Sequence, residues 1–100
     1  MYAVIYTFKV KNGMEEAFIQ SWKTMTQLIY KYEGSLGSRL HKSEENVFVA
    51  YAQWPDKETF DHAGGNLPME AEKSRLEMRN ACVDTNVEYK LDMVVDMLKH

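Results

Sequence analysis

Cysteine and proline are scarce: the 100-residue chain has one cysteine, Cys82, and two prolines. A lone thiol excludes an internal disulfide framework and fits a reducing compartment. Cys82 itself reads either as a reactive thiol or as a small buried hydrophobe, since free cysteine is among the most buried residue types. Basic charge is not in excess. Lys and Arg number 12 against 15 Asp and Glu, a formal charge of -3, so the basic footprint of a nucleic-acid binder is missing. Mixed signs from Glu70 to Arg79 suit a solvated helix face. No apolar run approaches the ~20 residues of a membrane span. Strand-like sequence starts at Tyr2, with no basic start leading into a long apolar stretch, so no signal peptide is expected. The expected location is the cytoplasm, with neither nucleic acid nor membrane as partner.

Recognised chemical motifs are missing too. There is no GxGxxG and no GxSxG, and Gly64-Gly65 lacks the Lys-Ser/Thr and the preceding strand of a phosphate loop. His41, His62 and His100 are scattered and form no close ligand pair. Neither a metal nor a flavin or nicotinamide cofactor is expected.

Aromatic residues are plentiful: Tyr 6, Phe 4 and Trp 2, in a chain that is 45% hydrophobic. The length fits one domain over residues 1–100. A domain of this size buries about two-thirds of its unfolded surface, so a second copy could cover the remainder.

The hydrophobic pattern orders the elements. Tyr2 to Val10 is rich in β-branched and aromatic residues and reads as a strand, with Tyr2, Val4, Tyr6, Phe8 and Val10 on one face. Its other face, Ala3, Ile5 and Thr7, carries no charge, so both faces look covered. After the Asn12-Gly13 turn, Met14, Phe18, Trp22 (or Ser21), Met25, Leu28, Ile29 and Tyr32 recur at helical spacing. Gly34 suits the left-handed cap of that helix. Ser35 to Lys42 and Val47 to Trp54 make a hairpin around the polar turn Ser43 to Asn46, with Gly37 read as a bulge or close approach. Phe48, Ala50, Ala52 and Trp54 share one face of a central strand. Pro55 stops it, and Asp56 caps a short helix anchored by Phe60 and reaching about Ala63. Pro68 opens a further helix to about Val83, in which Met69, Leu76 and Val83 repeat every seven residues. A final strand is predicted from about Asn86 to Leu98, with apolar residues at Val87, Tyr89, Leu91, Met93, Val95 and Met97.

The order β-α-β-β-α(α)-β predicts an α+β, ferredoxin-like antiparallel sheet with helices on one face. The second apolar face then needs cover, and the same sheet of another copy in a two-fold homodimer supplies it.

Gly34-Ser35-Leu36-Gly37-Ser38-Arg39-Leu40-His41 leads through Ser43 to Asn46 into Phe48-Val49-Ala50-Tyr51-Ala52-Gln53-Trp54, then Pro55-Asp56-Lys57-Glu58-Thr59-Phe60-Asp61-His62. This stretch resembles the antibiotic biosynthesis monooxygenase (ABM) family of dimeric α+β barrels. The resemblance implies a homodimer with a pocket between sheet and helices for a small apolar or aromatic ligand. It implies a cofactor-independent monooxygenase acting on a quinol- or anthrone-type substrate. The alternative is a non-catalytic small-molecule-binding or stress-associated dimer, and haem handling is a third possibility. The family pattern is incomplete here. Polyketide monooxygenases carry Asn four residues before the strand-ending Trp, where this chain has Ala50. The haem-degrading branch has Asn and Trp where this chain has Tyr6 and Ala63.

Four residues are candidates for a site. His62 reads as a general base, the role to which imidazole as a side-chain type is suited, or as a surface residue favoured at a helix C-terminus. Trp54 reads as a wall stacking on a planar ligand or as a core plug. Phe60 would be a second wall. Tyr6 would orient a phenolic ligand or pack between sheets, its hydroxyl needing a partner if buried.

Overall fold

The computed structural model describes residues 1–99. Its elements are β1 (Tyr2–Val10), α1 (Glu15–Tyr32), β2 (Gly37–Glu44), β3 (Val47–Trp54), α2 (Lys57–Asp61), α3 (Glu70–Ala81) and β4 (Cys82–Asp92). The strands form one antiparallel sheet in the order β2-β3-β1-β4. With the helices, this is the expected ferredoxin-like α+β architecture.

Pairing of β1 with β3 places Tyr2 opposite Trp54, Val4 opposite Ala52, Tyr6 opposite Ala50 and Phe8 opposite Phe48. All eight share the helix-covered face, because alternate residues of paired strands point the same way. The buried core divides in two there. One cluster holds Phe8, Val10, Phe18, Phe48, Ala50 and Ala81; the other holds Tyr2, Val4, Ala52 and Trp54. Phe18 of α1 is 0% exposed and contacts the rings of Phe8 and Phe48 at 5.0 and 5.2 Å. Ser21 is the buried member of the pair of candidates on α1. Its hydroxyl donates to the carbonyls of Ala17 and Phe18. Trp22 is half-buried.

Local turn chemistry follows the sequence. Gly13 and Gly34 take positive φ, as does Asn46 in the hairpin turn. The Asp56 carboxylate accepts from the Thr59 amide at 2.7 Å and caps α2, which holds its pKa below the usual carboxylate range. At Gly34, φ is +82° and an added Cβ would sit 3.1 Å from Cγ2 of Thr59. Gly34→Ala is therefore expected to cost about 1–2 kcal/mol, the left-handed penalty for an L-residue, plus any displacement of α2. A urea titration checks this, and an unchanged midpoint would contradict it.

Three local expectations are corrected. Gly37 starts β2 with φ +108° and makes no bulge; register shifts lie instead between Lys42 and Glu44 and at two places along β4. The last helix ends at Ala81 and not at Val83, because Val10 pairs with Cys82 and the Lys11 amide donates to the Ala81 carbonyl. That long-range pairing draws Cys82 and Val83 into the sheet against their helical periodicity, and β4 starts at Cys82. The seven-residue repeat of that helix consequently faces outward: Met69 is 94% exposed, and Leu76 and Val83 are exposed too. The buried positions of α3 are Ala71 and Ala81.

The last strand stops at Asp92, short of Leu98. Asp92 pairs with Tyr2, the Met93 amide reaches the Met1 carbonyl, and β1 offers no further partner. A shift opposite Ile5 and Tyr6 also divides the alternation of β4. Tyr89 and Leu91 pair with Ile5 and Ala3 on the open face, whereas Val87 pairs with Tyr6 on the helix side.

Candidate functional site

Between the two core clusters the inward side chains become small. Along β3 the series runs Phe48, Ala50, Ala52, Trp54, and Ser38 of β2 pairs beside Ala52. Large residues at both ends and small ones in the middle leave a space beneath α1. It is a cavity of about 200 Å³. Tyr6, Phe8, Ala50, Ala52 and Ser38 form its sheet wall, and Trp22, Thr26 and Ile29 of α1 form the opposite one. Trp54, Ser35, Met78 and Thr85 complete the lining.

The polar groups are few and sparsely satisfied. Ser38 Oγ donates to the Tyr51 carbonyl at 2.9 Å, and Ser35 Oγ accepts from the Gly37 amide at 3.0 Å. Trp54 is 4% exposed, and its indole N–H has no acceptor in the protein. A buried donor without a partner carries a desolvation cost of about 1–3 kcal/mol. Tyr6 is half-buried, and burial pushes its phenol pKa up. It therefore stays a neutral donor through the physiological range. None of the lining residues is Asp, Glu, Lys, Arg or His.

The four predicted site residues separate. Tyr6 and Trp54 share the cavity wall. Their approach depends on β1–β3 register, which the linear sequence does not display. Phe60 lies behind Trp54, edge-on at 5.5 Å, and touches Tyr2 at 5.8 Å. It supports the wall from outside the lining. The structure does not bring His62 to the cavity. His62 is the exposed C-cap of α2, and its Nδ1 is 2.8 Å from the Glu58 carbonyl of the same short helix. One helical turn after Thr59 carries its ring to the surface. Ala50, Ala52, Ser38, Trp22 and Met78 are lining residues that the sequence reading did not single out. The small-small step between Phe48 and Trp54 was their available signal.

Other features are less suited to an apolar ligand. A wider groove of about 710 Å³ lies at the hairpin turn, lined by Glu15, Glu16, Glu44 and Glu45 with Lys42 and Asn46. It is open and charged, and Glu15 there is already engaged by Lys42 and the Asn46 amide. Cys82 is half-buried, and burial raises its thiol pKa, which disfavours the reactive thiolate. Among the described residues no group of three or more His, Cys, Asp or Glu could hold a metal ion. His100 lies outside the described residues. No helix among them is long and apolar enough to cross a membrane.

Comparison with known proteins agrees with this fold. The family profile described as antibiotic biosynthesis monooxygenase matches residues 1–70. No curated protein sequence matches the chain. Among solved structures, a protein of Caulobacter crescentus provisionally named an antibiotic biosynthesis monooxygenase is similar with a TM-score of 0.75. The two are 21% identical, over 94% of this chain and 90% of that one. SnoaB, a cofactor-independent oxygenase from Streptomyces nogalater, has a TM-score of 0.74 at 16% identity, over 98% of this chain and 97% of that one. At these identities the structural likeness speaks for the fold.

Proposed function

The chain belongs to the antibiotic biosynthesis monooxygenase family, and from that premise we propose that its cavity binds a small aromatic molecule and promotes its oxidation by dioxygen without a bound cofactor. The observation that carries this reading is the apolar cavity between the two core clusters, with Tyr6 and Trp54 both in its lining. A quinol bound in its neutral form passes two electrons and two protons to dioxygen, which leaves as hydrogen peroxide while the ring becomes a quinone. The protein's part is to hold the ring against an apolar wall, with the Tyr6 hydroxyl donating to its oxygen. The lining has no carboxylate or imidazole to take a proton, so the protons travel with the electrons to dioxygen and His62 takes no part.

An oxygen electrode tests this with a panel of quinols. The expected result is enzyme-dependent uptake that His62→Ala leaves within about twofold. Loss of uptake in His62→Ala would place the chemistry at α2 and not in the cavity. A second reading, a non-catalytic binding protein, is favoured by the same lack of a titratable base and by Ala50 at the position where polyketide relatives carry Asn. No uptake with any quinol would leave that reading.

The partner proposed for the open sheet face is a second copy of the chain. Ile5, Val49 and Tyr51 are only half-buried there, and Tyr89 and Leu91 are exposed. An apolar face of that kind on an otherwise charged surface marks an association site. Light scattering at micromolar concentration is expected to give about twice the chain mass, and a stable monomer would refute the homodimer.

A further inference from the structure

The dimensions and chemistry of the cavity narrow its ligand. A dry cavity of ~150 Å³ accommodates benzene, whereas pockets for drug-sized ligands run from about 300 Å³ upward. At about 200 Å³ this one has room for one ring and short substituents. It cannot easily lengthen along the strands, because both end walls are locked. Phe8 is held by the Phe18 ring at 5.0 Å, and Trp54 is held by Phe60 at 5.5 Å. Met78 is the one long, unbranched side chain of the lining, and it is the adaptable part of the wall.

The polarity of the lining excludes ions. None of its side chains carries a charge, so an anion or cation would enter without a counter-charge and lose its hydration. A neutral ligand oxygen, in contrast, is offered the hydroxyl of Tyr6, a lining residue whose phenol burial keeps neutral.

Resting on the reading above, we propose that the cavity is a one-ring site selecting neutral, oxygen-bearing monocyclic aromatics such as simple phenols and quinols. Fused polycycles are excluded by Phe8 and Trp54, and carboxylated rings by the lack of charge. Size selection belongs to the end walls and Met78; orientation belongs to the Tyr6 hydroxyl.

Calorimetric titration tests the proposal without requiring turnover. 4-Methoxyphenol is expected to bind saturably, with anthrone and 4-hydroxybenzoate at least about tenfold weaker. Tyr6→Phe, which removes a hydroxyl and keeps the ring, is expected to weaken 4-methoxyphenol by about fivefold, the worth of one hydrogen bond, while leaving toluene unchanged. Met78→Ala, which shortens a wall at the edge of the larger core cluster, is expected to admit 1-naphthol, with circular dichroism confirming that the variant is folded. Anthrone or 4-hydroxybenzoate binding as tightly as 4-methoxyphenol would overturn the proposal, and so would 4-methoxyphenol failing to saturate. Saturable binding of 4-methoxyphenol with no oxygen uptake from any quinol defeats the oxidation reading alone and upholds the one-ring site. Oxygen uptake with anthrone as the tighter ligand does the reverse.

Discussion

Phe18→Ala is expected to lower the unfolding free energy by about 3–5 kcal/mol, the usual cost of removing a fully buried aromatic ring. In a domain of this length that moves the thermal midpoint down by roughly 15–30 °C. Phe18 is 0% exposed and sits where α1 meets the sheet, against Phe8 and Phe48. The variant loses apolar transfer energy and the ring contacts, and it leaves a void that surrounding strands cannot close. The backbone on either side is committed to the β1–β3 ladder. Urea unfolding followed by far-UV circular dichroism reads the loss. A change under about 1 kcal/mol would mean that Phe18 is not the centre of the larger cluster.

Ala52→Leu has the opposite profile: little effect on stability and a fall of at least about 100-fold in quinol-dependent oxygen uptake. Overpacking a filled core costs about 1–3 kcal/mol. Here the added carbons enter space that is already vacant, since Ala52 lines the cavity between Val4 and Ser38 in register. The thermal midpoint is expected to stay within a few degrees, because one cost offsets one gain. The control is Ala17→Leu, which adds the same atoms to an exposed position of α1 and leaves uptake unchanged. Equal loss in both variants would detach the activity from the cavity.

Much of the fold was legible because its local and long-range signals agree. In β1 and β3 the alternation of apolar residues, the Asn12-Gly13 turn, the Gly34 cap and the Asp56 cap all point to the observed elements. Where they disagree, tertiary pairing prevails. Cys82 and Val83 continue a helical pattern, yet β1 captures Cys82 and the residues after it as strand. Val95 and Met97 continue a strand pattern, yet no neighbouring strand remains to pair with them.

The site was legible in part for the same reason. Trp54 and Tyr6 are marked by residue type, but their shared cavity follows from a register that places Tyr6 opposite Ala50 and Trp54 opposite Tyr2. His62 was attractive for its chemistry and its closeness to Trp54 in sequence. A five-residue helix between them points it to solvent.

Whether the cavity beside Trp54 is the ligand site is tested most directly by an NMR titration of the labelled protein with 4-methoxyphenol. The largest amide changes are expected at Tyr6, Ala50 and Ala52, which line the cavity. Changes centred on His62 and α2, with those three amides unmoved, would contradict it.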